Sequence, residues 1–380
     1  MRESAVPSLM NEAPAQGLLE YSVVYTDRAL NHMSPAFQGV MRDVSAILKE
    51  AYAAHSAVVV PGSGTFGMEA VARQFAGHRE CLVIRNGWFS YRWSQIFEMG
   101  RIPAETIVLK ARPASSERQA AWAPPPIEEV VAAIREHKPD LVFAPHVETA
   151  SGMILPDVYL GAVAEAVREV DGLFVLDCIA SGAIWVDMAA HGIDILISAP
   201  QKGWSAQPCG AFVMLNERAR ARIDATTSSS FAADLRKWLQ IMETYEQGGH
   251  AYHATLPTDA LAAVVRAMRE TQEWGFARAR AAQAELGSSV RALLAGRGFR
   301  SVAAAGFEAP GVVVSHTDDP DIQSGKKFIA LGLQTAAGVP LMCDEPADFR
   351  SFRIGLFGLD KLQHIDRTVR LLEAALERIA

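Results

Sequence analysis

The chain reads as an α/β protein: a large domain with a mainly parallel sheet, followed by a small C-terminal α+β domain. From Ala57 to Leu215, apolar runs of strand length alternate with longer segments of helical periodicity. That alternation marks strand–helix–strand units whose sheet is covered on both faces. Beyond Gly298 the order changes to strand, helix, strand and closing helix, which suits a separate small domain.

The strand candidates are Ala57–Val60, Glu80–Ile84, Thr106–Leu109, Leu141–Ala144, Leu173–Leu176, Ile193–Ser198 and Ala211–Leu215. Between them the spacing predicts helices over Gly67–Phe75, Ile127–His137 and Val158–Val170, with Asp157 as the cap of the third. TTSSSF at Thr226–Phe231 reads as a polar loop. A long helical pattern runs from Pro257 to about Gly298 and should bridge two domains, bending near Gly275. After it come a strand at Gly311–His316, a helix at Gln323–Leu331, a strand at Arg350–Ile354 and a helix at Asp360–Ile379. The expected division is an N-terminal arm over 1–15, a large domain over 16–274 and a small domain over 275–380.

Composition narrows the function. The 380 residues carry a net charge of −7, which offers no basic face to nucleic acid. LFVLDCIASGAIWV is broken by Asp177 and is too short to span a membrane. MRESAVPSLMNEAPAQG shows no export signal. Cys81, Cys178, Cys209 and Cys343 are scattered without a C-x-x-C pair, so neither a disulfide framework nor a metal site is expected. These features suit a soluble cytoplasmic enzyme.

The chemistry is suggested by SAPQKGW. Its Lys202 follows an apolar run and lies 25 residues beyond Asp177, which ends the run GLFVLD. A lysine at one strand end and a lone carboxylate one strand away are what pyridoxal phosphate chemistry needs. The lysine forms a Schiff base, and the carboxylate keeps the pyridine nitrogen protonated. The plain alternative is a Lys–Asp ion pair at a loop. Two more features fall at strand ends. PGSGTFG places Ser63, Gly64 and Thr65 between a strand and a helix, where backbone N–H groups suit a phosphate. NGWFSYRW puts Trp88 and Phe89 at the next strand end. Ligands collect at such ends in open α/β sheets.

Seven blocks occur in order: GSGTFGMEA, NGWFSYR, PHVETASGMILP, FVLDCIASG, SAPQKGW, AYHATLP and FRIGLFG. With them the chain resembles the class V pyridoxal phosphate aminotransferases, of the alanine–glyoxylate and serine–pyruvate group. The resemblance implies a fold-type I homodimer with a seven-stranded sheet in its large domain. It further implies that Lys202 carries the cofactor and that Asp177 pairs with the ring nitrogen. Phe89 and Ile179 would cover opposite ring faces, with Thr149 beside the ring oxygen. Ser63, Gly64, Thr65 and Gln201 would hold the phosphate, joined by Tyr252 and Thr255 of the other subunit. Arg353 would clamp the substrate α-carboxylate, a task suited to a bidentate guanidinium. The implied reaction passes an amino group from an alanine- or serine-like donor to glyoxylate or pyruvate.

The chain departs from the family's pattern at LLEYSVVYTDRALNHMS, where Tyr25 and Arg28 are candidates to reach the substrate pocket, and at Pro200, where some relatives have a hydroxyl. Other functions share the fold. A cysteine desulfurase would use Cys343, and a β-lyase or decarboxylase would use the same lysine. A non-catalytic cofactor-binding domain would not need Lys202, Asp177 and Arg353 together.

Overall fold

The computed structural model describes residues 18–379, so the arm expected over 1–15 lies outside the described residues. The main sheet has seven strands. They are β1 (Ser56–Pro61), β2 (Glu80–Arg85), β3 (Glu105–Lys110), β4 (Leu141–Pro145), β5 (Leu173–Asp177), β6 (Ile195–Ser198) and β7 (Gly210–Leu215). Across the sheet they run β1-β7-β6-β5-β4-β2-β3. β7 is antiparallel to both neighbours, and the other pairs are parallel. Every residue of β4, β5, β6 and β7 is buried, as expected for apolar runs covered on both faces. The edge strand β3 is only half-buried and carries charges at both ends, which discourages further pairing.

Helices α1 (Pro35–Tyr52), α2 (Gly64–Phe75), α3 (Trp88–Gly100), α4 (Ile127–His137) and α5 (Asp157–Glu169) precede or connect the strands. α1 is not among the expected helices. Ser34 caps it by accepting from the Phe37 N–H, Pro35 opens it, and Phe37, Met41, Val44 and Leu48 bury one stripe. α3 corrects the reading of Trp88 and Phe89 as a strand end, because both lie in its first turn. Asp157 is the first residue of α5 rather than its cap, with Pro156 in the cap position. Its carboxylate still favours the helix start through the dipole.

The chain continues through α6 (Leu235–Glu246), α7 (Thr258–Trp274) and α8 (Phe276–Gly296). The long helical pattern breaks at Gly275, whose φ of 100° lies in the region that glycine tolerates. α7 packs on α1. α8 packs on β8 (Val312–His316), which joins β9 (Ala336–Ala337) and β10 (Ser351–Gly355) in a three-stranded antiparallel sheet ordered β8-β10-β9. The helix expected at Gln323–Leu331 is two short ones, α9 (Pro320–Gln323) and α10 (Lys326–Ala330), divided by Gly325 at φ 79°. The closing helix divides at His364 into α11 (Leu359–Gln363) and α12 (Ile365–Leu376). Among the described residues no helix is long and apolar enough to cross a membrane.

Candidate active site

A cavity of about 210 Å³ opens at the carboxyl ends of β1, β2, β4, β5 and β6. Asp177, the last residue of β5, is buried in its wall. One carboxylate oxygen accepts the Ile179 N–H at 2.9 Å. Burial pushes the carboxyl up to about 6, outweighing that bond and the Arg92 and Lys202 charges. A cation in contact with it would reverse the shift.

Lys202 lines the same cavity, four residues after β6 ends. A Cβ on the next residue, Gly203, would stand 2.1 Å from the Gly182 carbonyl oxygen. Two loops therefore cross at backbone contact, and the crossing holds Lys202 in place. Burial lowers the affinity of its amine for a proton, and Arg353 adds to the effect. Its Nζ lies 5.0 Å from the Phe357 ring centre.

The polar end of the cavity is the start of α2, lined by Ser63, Gly64 and Thr65. The first N–H groups of a helix have no partner within it and attract anions. Ser63 occupies the cap position, yet its hydroxyl makes no capping bond and is free for a ligand. Gly64 packs against Ile179, where a Cβ would lie 2.7 Å from the isoleucine Cδ1. The Gln201 side-chain oxygen is buried without a partner among the described residues, and an amide can turn its donor end toward a ligand instead. Phe89, Thr149 and Ile179 complete the predicted lining. Arg353, on β10, stands with its guanidinium carbon 5.4 Å from the Phe89 ring centre, and its Nε donates to the Ala337 carbonyl at 2.7 Å.

This site fits pyridoxal phosphate on its own chemistry: a buried carboxylate with no ion pair among the described residues, a half-buried lysine, and unused donors at a helix start. No protein-family model matches the chain. It is 28% identical over 269 residues to alanine–glyoxylate aminotransferase 1 of Saccharomyces cerevisiae, a match spanning 65% of this chain and 66%, just under two thirds, of that one. It is 29% identical over 331 residues to 2-aminoethylphosphonate–pyruvate transaminase of Burkholderia ambifaria, covering 85% of this chain and 82% of that one. Its fold matches ureidoglycine–glyoxylate aminotransferase from Bacillus subtilis with a TM-score of 0.76 at 23% identity, over 92% of this chain and 87% of that one. In sequence and fold the chain is similar to the class V aminotransferases, and it is a pyridoxal phosphate-dependent transaminase.

A class V aminotransferase of fold type I accounts for the mostly parallel seven-stranded sheet. Not every expected residue reaches this aminotransferase's own cavity. Tyr252 and Thr255 are exposed, bond to each other at 3.1 Å and do not line it. Tyr25 and Arg28 do not line it either. The Tyr25 hydroxyl donates to the Leu256 carbonyl at 3.1 Å, and Arg28 is exposed. The N-terminal segment therefore accompanies Tyr252 and Thr255, not Lys202.

Two residues at the site escaped the sequence reading. Arg92 lines the cavity and donates to the Thr65 hydroxyl at 2.9 Å. The available signal was its place three residues after Phe89, which is one face of a helix. Glu148 is fully buried and accepts from the N–H groups of Phe89, Ser90 and Ala150 and from the Ser90 hydroxyl. It anchors the first turn of α3, and a Cβ on Gly87 would meet its Cδ at 2.7 Å.

Proposed function

We propose that this aminotransferase carries the amino group of an alanine- or serine-like amino acid to a small 2-oxo acid, glyoxylate or pyruvate. We further propose that it acts as a cytoplasmic homodimer with shared sites, and that each chain divides into domains at Gly275. One observation carries the reading: Lys202, Asp177 and the Ser63–Thr65 turn line one cavity, with Arg353 beside its Phe89 wall. The oxo acids are those named for the yeast and Burkholderia relatives. The exposed Tyr252–Thr255 pair, unused by its own cavity, supports a shared site. Four buried free cysteines suit a reducing compartment.

Pyridoxal phosphate, when bound, supplies the electron sink that acidifies the substrate Cα–H. Asp177 would hold the proton on the ring nitrogen, since an adjacent cation keeps a buried carboxylate ionised. Phe89 and Ile179 would hold the ring faces, and Thr149 the ring oxygen. Ser63, Gly64, Thr65 and Gln201 would bind the phosphate, with Tyr252 and Thr255 arriving from the second subunit. Lys202, its amine less basic through burial, would take the Cα proton and deliver it to the carbon on the cofactor side of the nitrogen. Arg353 would orient the substrate by its carboxylate.

A desulfurase is disfavoured by Cys343. Its thiol is buried, pushed up to about 12 by burial, and donates to the Arg85 carbonyl at 3.4 Å. A nucleophilic cysteine is exposed and largely thiolate. The test is a panel of amino acids, with 2-aminoethylphosphonate alongside, offered with glyoxylate and with pyruvate while the cofactor spectrum is followed. Turnover of small amino acids supports the reading. Turnover of the phosphonate alone overturns the substrate assignment, and no amino transfer at all overturns the function.

A further inference from the structure

We infer that Arg92 is a charged ligand of the cofactor phosphate, in a cradle whose sequence motifs supply only neutral donors. The inference rests on the cofactor assignment above. Arg92 lies on α3, yet its Nη1 donates to the hydroxyl of Thr65 at the start of α2, so its charge sits at the anion end of the cavity. It forms no ion pair with a carboxylate among the described residues. One of its five N–H donors is spent on Thr65, and none of the others meets an acceptor among the described residues.

Charge balance calls for such a group. A phosphate monoester carries about −1.5 to −2 at neutral pH, and a helix start offers roughly +0.5. Ser63, Thr65 and Gln201 add donors but no charge, and so would Tyr252 and Thr255. About one positive charge is missing. Lys202 is committed to the covalent link. Arg353 belongs to the small domain and is bonded to the Ala337 carbonyl. Arg92 remains. Its guanidinium carbon lies 5.2 Å from the Phe89 ring centre, against 5.4 Å for Arg353, so the ring wall has one guanidinium for each of two anions. Glu148 pins the first turn of α3 and thereby fixes where Arg92 starts.

The test compares pyridoxal phosphate with phosphate-free pyridoxal, bound at equilibrium to the full-length wild type, Arg92→Gln and Arg92→Lys and read by absorbance. Arg92→Gln should weaken the phosphorylated form roughly tenfold or more while leaving pyridoxal within about twofold, and Arg92→Lys should recover part of the loss. Inorganic phosphate should compete with pyridoxal phosphate in the wild type and clearly less well in Arg92→Lys, which serves if Arg92→Gln fails to fold. Equal losses for both forms would assign Arg92 to the ring wall and overturn the inference, as would no loss for either. A wild type that binds neither form removes the cofactor reading and this inference together. A wild type that binds normally beside an indifferent variant removes this inference alone.

Discussion

Asp177 stands opposite Ile197 in the parallel ladder of β5 and β6, and Lys202 follows Ile197 by five residues. The carboxylate and the amine therefore leave the sheet at one level on neighbouring strands. The 25-residue spacing in the sequence is one crossover between those strands, and it delivers both groups to one cavity wall.

Borohydride reduction of the cofactor-loaded protein should attach the cofactor to Lys202. Peptide mapping checks this, and a label on Lys49 or Lys110 overturns the assignment.

Asp177 and His146 should give opposite pH dependences. The Asp177 carboxyl is raised to about 6 from the ordinary 3.8, so the cofactor-free native state holds an extra proton between about pH 4 and 6. Its contribution to stability is lost as pH rises through that window. His146 is buried against the Ser181 hydroxyl and lowered to about 4 from 6.5, so the unfolded state holds the extra proton. Its contribution is lost as pH falls through the same window. Each shift corresponds to about 3 kcal/mol. Relative to wild type, cofactor-free Asp177→Asn should gain stability from pH 4 to 7, and His146→Gln should gain from pH 7 to 4. Urea unfolding at both pH values decides, and parallel curves refute the argument.

The shared site predicts complementation. Thr255→Ala mixed with Lys202→Ala should form heterodimers in which one site carries both defects and the other neither. Activity should rise above that of the Lys202→Ala homodimer. A fully active monomer by light scattering would exclude a site built from two subunits.

Arg353→Lys keeps the charge but loses the fork. Amino acid kcat/KM should fall roughly tenfold for each 1.4 kcal/mol lost, and a charge-assisted hydrogen bond contributes about 1.5–3 kcal/mol. Amines without a carboxylate should be indifferent to the change. Unchanged amino acid turnover would move the carboxylate site elsewhere.

Glu148→Gln should destabilise the fold by on the order of 3 kcal/mol, because one amide oxygen cannot serve four donors and its NH2 would face N–H groups. Thermal unfolding checks this, and an unchanged midpoint refutes the anchor.

The seven strands were legible because buried runs such as Ala57–Val60 and Leu173–Leu176 have no rival reading once turn residues bound them. α3 was not. WFSYRWSQIF is apolar at nearly every other position as well as at helical spacing, and with it went Arg92, whose meaning depends on α3 touching α2. Ser63, Gly64, Thr65, Asp177 and Lys202 were legible as a group because each sits at a strand end or just past one, and all five line one cavity. That Tyr25 stands with the Tyr252–Thr255 segment was not legible, because its hydrogen bond reaches a carbonyl 231 residues away, a partner that no local pattern reveals.

The crossing of Gly203 over Gly182 bears on how this enzyme can vary. Gly182 holds φ at 67°, which strains any other residue, and a methyl group on Gly203 would strike the Gly182 backbone, so a change at either position disturbs the crossing. In a saturation-mutagenesis map these two silent positions should be as intolerant as Lys202. Selection for a new substrate would then have to work through α3, β10 and the N-terminal segment, leaving the lysine loop as a fixed point of descent.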